Sequence, residues 1–279
     1  MTPTPLYRYM PADRFFKNLE KDSDLFSVPF AWGDFDAFED LLSRLKSKEN
    51  NGFVVTDNIF AQCWNAGHEC DGMWKNYTSS QLDDGVMIES DSNTILSSLK
   101  NIVSKFKMFE SKEVYLYKSE IESQVDSMVS VEKVDYLTHK EIISQYEEYF
   151  EQLDKVARGE SSEDDLSFLD STGEGLRKIL SIKREHYSYE KEFRIFIQPF
   201  DDGAKEFEHI DVHRILVPDF KSRIKKVIFS PKMGENKYKC YKSQLIQEYG
   251  FDENKIEKSK MYDLDELLRG SKLKRKGSR

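Results

Sequence analysis

Two glutamates and an arginine alternate along one short stretch of the chain, at Glu190, Glu192 and Arg194. Alternation over 187–197 predicts a half-buried β-strand, on which every second side chain shares a face. The opposite face is apolar and is predicted to meet the core through Phe193, Ile195 and Ile197. Two carboxylates and a guanidinium on one strand face can orient a polar substrate. Two like charges about 7 Å apart on a low-dielectric wall would also raise the pKa of at least one carboxylate.

A structural interpretation of the same face stays open. A solvated outer face that carries one surface ion pair would produce the same alternation, and such pairs contribute little to stability. The two interpretations differ in burial, so the elements around the stretch decide between them.

Composition limits the class of protein. The chain has 279 residues, 38% of them hydrophobic, which is enough to build a substantial core. Its net charge is −9, so no global basic field draws it to nucleic acid. No run approaches 18 apolar residues, the N-terminus resembles neither a signal nor a transit peptide, and the three cysteines suggest a reducing compartment. We expect a cytoplasmic protein without a membrane partner.

Short strands and amphipathic helices are interleaved along the sequence. Period-2 patterns predict strands at 6–10, 24–29, 53–55, 59–64, 86–89, 114–117, 187–197, 204–216, 227–231 and 255–262. Period-3.6 patterns predict helices at 13–19, 36–45, 70–77, 93–106, 136–156, 176–183 and 237–249, the last closed by Gly250. We therefore predict an α+β fold with bent mixed or antiparallel sheets flanked by helices.

One domain is expected to span residues 1–270. The long helix and the acidic, Ser- and Gly-rich loop 159–174 form an insertion within it, at about 120–175. Residues 271–279 form a basic tail that we expect to be disordered.

Two further places carry residues suited to ligand binding. Arg8 lies between two tyrosines on a predicted strand, where it is either an anion-binding group or an exposed residue on an edge strand. Trp74 and Tyr77 are three residues apart on a predicted helix and share a face. That face either packs in the core or offers a wall on which a planar ring can stack.

The cysteines do not predict a metal site. Cys63, His68 and Cys70 are close in sequence, but their spacing matches no known ligand pattern, and only Cys240 could complete the set. Buried free cysteines are the simpler interpretation, and we predict no metal.

Several short pieces, in this order, resemble the bacterial family catalogued as domain of unknown function 2971. They run from about residue 6 to 233 and comprise 6–9, 25–29, Trp32 with 36–39, 62–64, Asp71 with Trp74 and Tyr77, 85–86, and 189–194. The chain departs from the family pattern at Ala37, where proline is usual, and at Cys70, where a Glu-Ser-Asp run is more common. Neither departure touches the strand carboxylates.

The order of the motifs also resembles that of ADP-ribosyltransferases, an analogy of layout. In that superfamily an early strand carries an Arg or His that meets NAD, a second strand carries a Ser, and a late strand carries Glu-x-Glu. The matching positions here are Arg8, Ser27 and the pair Glu190 and Glu192, which the resemblance implies should line one cleft. It implies an ADP-ribosyltransferase-like fold and NAD as the substrate, with transfer to a protein or nucleic-acid acceptor or hydrolysis as an NAD glycohydrolase.

The resemblance also assigns roles. Glu192 would be catalytic, holding the ribose 2′-OH and facing the oxocarbenium-like charge, while Glu190 would position the acceptor. Arg8 would grip the pyrophosphate, and Ser27 would hydrogen-bond the ribose. The other cofactor-binding candidates are Arg194 together with Trp74 or Tyr77, whose rings could stack on the nicotinamide. A toxin or phage-defence effector is the biological role that such a family suggests.

Two other function classes remain open. A metal-dependent, nuclease-like enzyme would gather Asp34, Asp36, Glu190 and Glu192 around a cation and would lose activity to a chelator. A non-enzymatic regulatory or interaction module would present a shallow strand face at Glu190 without a pocket.

Overall fold

The computed structural model of the chain describes residues 3–29, 32, 39, 41, 59–67, 69–78, 82–110, 125–162, 166, 173–198, 207–211, 213–263 and 268–269. Contacts divide the chain into two compact units, each assembled from separate stretches. The first contains residues 1–6, 22–66 and 91–223, and the second contains 7–21, 67–90 and 224–279. Each unit is described by itself.

The described strands are β1 (Pro5–Pro11), β2 (Ser23–Ser27), β3 (Phe60–Asn65), β4 (Gly85–Asp91), β5 (Val129–Lys133), β6 (Asp135–Leu137), β7 (Ile182–Arg184), β8 (Glu192–Ile197), β9 (Glu208–Asp211), β10 (Arg214–Pro218), β11 (Lys226–Phe229) and β12 (Ile256–Lys258). The described α-helices are α1 (Ala12–Lys21), α2 (Asp71–Tyr77), α3 (Ser92–Glu110), α4 (His139–Ala157), α5 (Glu174–Ile179) and α6 (Glu235–Gln247). Short 3-10 helices occupy Glu185–Glu190, Lys221–Arg223 and Glu253–Lys255.

The sheet of the first unit runs in the order β9-β10-β2-β3-β8-β5. The pairs β10/β2, β3/β8 and β5/β8 are antiparallel, so β8 lies between two partners. Ala61 of β3 lies opposite both Ser27 of β2 and Phe196 of β8, which places these three side chains on one face. A separate parallel pair, β6 with β7, completes the unit.

Helix α4 covers the face of the first sheet that carries Phe196. It buries Ile142, Tyr146, Phe150 and Leu153, whose spacing of three and four residues makes one helical stripe. These residues pack in one cluster with Ala61, Phe196 and residues of α5. The helix begins at His139, later than the predicted residue 136, because Thr138 and Glu141 form a reciprocal capping box. The residues before the cap form β6 instead.

Strand β8 begins later than the sequence predicts. The stretch 185–190 is a 3-10 helix, and Lys191 adopts a left-handed conformation at φ 45° and ψ 49° before the strand starts at Glu192. Alternation is correct from Glu192 onward, but both faces of the strand are buried and only Phe193 is half-buried. The alternative interpretation as a solvated outer face is therefore wrong, because α4, α5 and the β6/β7 pair belong to the same unit and cover that face.

The sheet of the second unit runs in the order β1-β4-β11-β12, with β4/β11 antiparallel and β11/β12 parallel. Its core contains Tyr9, Met73, Trp74, Leu82, Met87 and Ile228. Gly250 adopts a φ of 66° just beyond α6, as expected of a residue that ends a helix. In place of the predicted strand 255–262, the structure has the shorter β12. In place of the predicted helix 176–183, it has α5 followed by β7.

The predicted α+β class with a mixed sheet is confirmed. Within the described ranges, none of the helices combines the length and the apolar character needed to cross a membrane. Several predictions lie outside the described residues: the strands 53–55 and 114–117, the helix 36–45 apart from Glu39 and Leu41, most of the loop 159–174, and the tail 271–279.

Gly85 should not tolerate a side chain. A Cβ at Gly85 would lie 2.7 Å from the Cβ and Cγ2 atoms of Thr78, the residue that caps the C-terminus of α2. We predict that Gly85→Ala lowers the free energy of unfolding by roughly 1–3 kcal/mol, the usual cost of overpacking. Gly234→Ala is the matched control in the same unit, because no described atom lies within 4 Å of the added Cβ. Urea unfolding measures both, and equal losses in the two variants would contradict the packing argument.

Candidate functional site

An ammonium group surrounded by three carboxylates forms the centre of the first unit. The Nζ atom of Lys183, in β7, lies 2.7 Å from Glu190 Oε2 and 2.8 Å from Glu192 Oε2. It also lies 3.1 Å from Glu39 Oε1. The side chains of all four residues are less than a tenth exposed. Because an ammonium has three N–H donors, the three carboxylates match its hydrogen-bonding capacity.

Arg194 binds two of these carboxylates, those of Glu192 and Glu39. Its Nε donates to Glu192 Oε1 at 2.8 Å, one terminal nitrogen donates to Glu39 Oε2, and the other donates to the backbone carbonyl of Leu180. The ring of Trp32 lies 4.7 Å from the guanidinium carbon and covers its face. Arg194 is one of the cofactor-binding candidates predicted from the sequence. In this structure its guanidinium is already engaged by protein groups.

Local backbone geometry explains how two glutamates only two residues apart reach one lysine. Glu190 is the last residue of the 3-10 helix, and Glu192 is the first of β8. Lys191 between them is left-handed, a conformation that residues other than glycine rarely adopt. This turn, rather than strand alternation, directs both carboxylates to Lys183.

Mutual pairing fixes the charge states of the cluster. Burial alone raises the pKa of the Glu192 carboxyl, but the charges and hydrogen bonds of Arg194 and Lys183 lower it to about 2. Burial lowers the pKa of the Lys183 ammonium, and the carboxylates of Glu192, Glu39 and Glu190 outweigh it and raise that pKa. The prediction that at least one of the two carboxylates has a raised pKa is not met by Glu192. Its pKa is lowered, because the charges and hydrogen bonds of Arg194 and Lys183 outweigh burial.

Three other side chains border the cluster. The Cys63 thiol, directly across from Arg194 in the β3/β8 pair, has a raised pKa because it is buried and because the Glu192 charge is near. The Tyr136 hydroxyl accepts a hydrogen bond of 2.7 Å from the Glu192 backbone N–H. The ring of Tyr187 lies 4.9 Å from Lys183 Nζ. Tyr136 and Tyr187 are half-buried, so the cluster approaches solvent on their side.

Ser27 joins this site through Trp32. The indole Nε1 of Trp32 donates to Ser27 Oγ at 2.9 Å, and the same indole covers Arg194. Ser27 also lies on the sheet face that carries Glu192 and Arg194, as the pairings through Ala61 and Cys63 require. The structure thus brings together four predicted site residues: Ser27, Glu190, Glu192 and Arg194.

The other three candidates belong to the second unit. Arg8 is 9% exposed, which excludes an exposed position on an edge strand. Trp74 is fully buried, its ring is met edge-on by Tyr9, and its Nε1 donates to Glu69 at 2.7 Å. Its assignment as a stacking wall is therefore corrected to a core residue, the interpretation that the helical spacing also allowed. Tyr77 is 41% exposed and does not share that environment.

Sequence reasoning missed Lys183, Glu39, Tyr136 and Cys63. Three of them, Glu39, Cys63 and Tyr136, are far from residue 192 in sequence, and Lys183 lies at the end of a predicted helix. The sequence contained one signal for the missed lysine. If Glu190 and Glu192 are both buried, they need more positive charge than Arg194 alone supplies.

Among the described residues, no group of three or more His, Cys, Asp or Glu side chains is arranged to hold a metal ion.

Acid should destabilise the protein through Glu192. Its pKa falls from an ordinary 4.5 to about 2 on folding, so the unfolded chain binds more protons between these pH values. The stabilisation is complete above pH 4.5 and is lost as pH falls toward 2, by up to roughly 3 kcal/mol. We predict that the midpoint of urea unfolding drops through this range and that Glu192→Gln flattens the dependence. An identical pH dependence in the variant would contradict the ion-pair argument.

Comparison with known proteins adds one match. Residues 73–195 match the model of a family described as Protein of unknown function (DUF2971), which confirms that resemblance over this stretch. No curated protein and no solved structure matches the chain. The stretch that contains Lys183, Glu190, Glu192 and Arg194 is therefore similar to a family whose function is unknown.

Proposed function

We propose that the protein cleaves the nicotinamide–ribose bond of NAD, as an ADP-ribosyltransferase or an NAD glycohydrolase. One observation carries the proposal: Glu192 is buried, ionised and fixed by Lys183 and Arg194 beside a second carboxylate, Glu190. A preorganised carboxylate stabilises positive charge that develops in a transition state. Cleavage of this bond develops such charge on the ribose.

The reaction balances with these groups. The bond between ribose C1′ and the pyridinium nitrogen breaks, and its electron pair leaves with nicotinamide. The oxygen of water or of an acceptor then bonds to C1′, and its proton is released. The Glu192 carboxylate accepts hydrogen bonds from Lys183 Nζ and Arg194 Nε and is also hydrogen-bonded by the Cys63 thiol. A carboxylate has about four acceptor positions, so Glu192 retains capacity for the ribose 2′-OH.

The ionisation of Glu192 also selects the leaving group. Ordinary glycoside cleavage needs a protonated carboxylic acid to protonate the departing oxygen. A carboxyl group with a pKa near 2 cannot hold that proton at neutral pH. Nicotinamide leaves from a ring that is already cationic, so it departs without a proton. The site therefore suits a pyridinium N-glycoside better than an O-glycoside.

The net charge of the cluster fits the same substrate. Glu39, Glu190 and Glu192 supply three negative charges, and Lys183 and Arg194 supply two positive ones. One negative charge is left within this set of described residues. A cationic nicotinamide ring, and later a cationic ribose, would complement it.

A nuclease-like enzyme is supported by one specific feature, the convergence of carboxylates. Glu39, Glu190 and Glu192 meet at one point, but the ammonium of Lys183 occupies that point. Asp34 and Asp36, which this alternative also needs, lie outside the described residues. A chelator test separates the two candidates, since cleavage of NAD by this cluster requires no metal. The interaction-module alternative expected a shallow strand face, whereas Glu190 is 3% exposed.

Removing the Glu192 charge should abolish most of the activity. We predict that Glu192→Gln lowers the rate of nicotinamide release from NAD by about 10²–10³-fold, the usual effect of losing one preorganised electrostatic contact. Liquid chromatography of free nicotinamide measures the rate. Breaking a buried ion pair also costs roughly 3–5 kcal/mol of stability, so rates are normalised to the folded fraction.

Glu132→Gln is the matched control for that experiment. Glu132 lies opposite Arg194 in the β5/β8 pair, on the same sheet face, but it is more exposed and lies 3.7 Å from Arg177. The control should retain the wild-type rate. Equal rates in Glu192→Gln and wild type would refute the proposal.

Glu190 should govern transfer more than hydrolysis. It shares Lys183 with Glu192 but lies outside the strand, where it can orient the incoming nucleophile. We predict that Glu190→Gln lowers ADP-ribosylation of an acceptor more than it lowers nicotinamide release. Labelled NAD, with both products counted in one reaction, measures the ratio. A parallel loss of both products would assign Glu190 to the bond-breaking step instead.

A further inference from the structure

One buried amide beside the cluster has no hydrogen-bond partner. Asn65 ends β3 and is 2% exposed, and within the described part of the chain neither its Oδ1 nor its Nδ2 is hydrogen-bonded. An unpaired buried polar group costs about 1–3 kcal/mol, so most proteins avoid it. Such a group therefore needs an explanation.

The position of Asn65 relates it to the site. It lies directly opposite Glu192 in the antiparallel β3/β8 pair. Opposed residues of such a pair project from the same face with Cβ atoms about 4.5–5.5 Å apart. The unpaired amide is thus adjacent to the carboxylate proposed to face the reacting ribose.

The same strand shows that this fold can satisfy a buried amide. Gln62 of β3 is also buried, and its Nε2 donates to Asp24 Oδ2 and to the Leu25 carbonyl, each at 2.9 Å. Its Oε1 accepts from Trp64 Nε1 at 2.7 Å. All the hydrogen-bonding groups of Gln62 are used, whereas those of Asn65, three residues along, are not.

We propose that Asn65 is a substrate-binding residue that hydrogen-bonds the ribose hydroxyls next to Glu192. An amide both donates and accepts, and so does each hydroxyl of a ribose diol. Glu192 can only accept, so the two side chains together read the donor and acceptor positions of the sugar. This inference rests on the proposed function, and it adds the ribose contact that distinguishes a nucleotide sugar from a deoxy analogue.

The test uses the full chain with two ligands, ADP-ribose and nicotinamide, and the variant Asn65→Leu. Leucine has a similar size and no polar atoms, so it removes the unpaired amide without opening a cavity. We expect the melting temperature of the free protein to rise by roughly 2–4 °C. We expect the Kd for ADP-ribose, measured by calorimetry, to rise about tenfold, as loss of one or two hydrogen bonds would cause. The Kd for nicotinamide should not change.

Ser130→Ala is the control variant. Ser130 lies in β5 opposite Phe196, and its buried hydroxyl is also unpaired, but it is not adjacent to Glu192. It should leave the affinity for ADP-ribose unchanged, and Asn65→Ala serves as a second test variant if the leucine variant folds poorly.

The possible outcomes separate the role of Asn65 from the proposed function. Wild-type affinity of the Asn65 variants for ADP-ribose, in a protein that releases nicotinamide from NAD, overturns the role of Asn65 and leaves the proposed function standing. Weaker binding of nicotinamide instead of ADP-ribose also overturns the ribose assignment. A wild-type protein that binds neither ligand and leaves NAD intact overturns the proposed function, and the role of Asn65 with it.

Discussion

The ammonium of Lys183 among three carboxylates is the interaction on which the rest of the site depends. Charges as deeply buried as these are tolerated only when each has a partner and each donor has an acceptor. That requirement gathers β7, the 3-10 helix and β8 around one point, because Lys183, Glu190 and Glu192 must meet there. The end of α5 joins them through the Leu180 carbonyl, which accepts from Arg194. The left-handed Lys191 follows from the same demand, since a regular strand would hold Glu190 and Glu192 about 7 Å apart along one face instead of letting both reach one ammonium.

Periodicity predicted the elements whose pattern is local. The helical stripe of α4 and the alternation of β8 follow from spacing alone, and both are present with shifted ends. The predictions failed where a partner from another part of the chain determines the local structure. Glu190 lies in a 3-10 helix instead of the predicted strand and accepts a hydrogen bond from Lys183. Lys183 lies in β7, although the sequence placed it at the end of a predicted helix. The lowered pKa of Glu192 could not be predicted for the same reason, since no sequence pattern indicates an ion pair with Lys183 on a separate element.

The site contains several departures from local rules. A buried ionic cluster adds little to stability compared with well-packed apolar residues, so stability alone does not account for it. Within a few residues the first unit also contains a left-handed lysine, a surplus negative charge and the unpaired amide of Asn65. Natural proteins keep such conflicts at functional sites, where binding or chemistry compensates for them.

The directions of the pKa shifts limit which chemistry this cluster can perform. Lys183 has a raised pKa and remains an ammonium, so it is neither a nucleophile nor a Schiff-base former at neutral pH. The raised pKa of Cys63 keeps it a thiol, which is a weak nucleophile compared with the thiolate. Glu192 is ionised and cannot act as an acid. Covalent catalysis by Lys183 or Cys63 and proton donation by Glu192 are thus disfavoured, whereas electrostatic stabilisation of a cation is compatible with all three charge states.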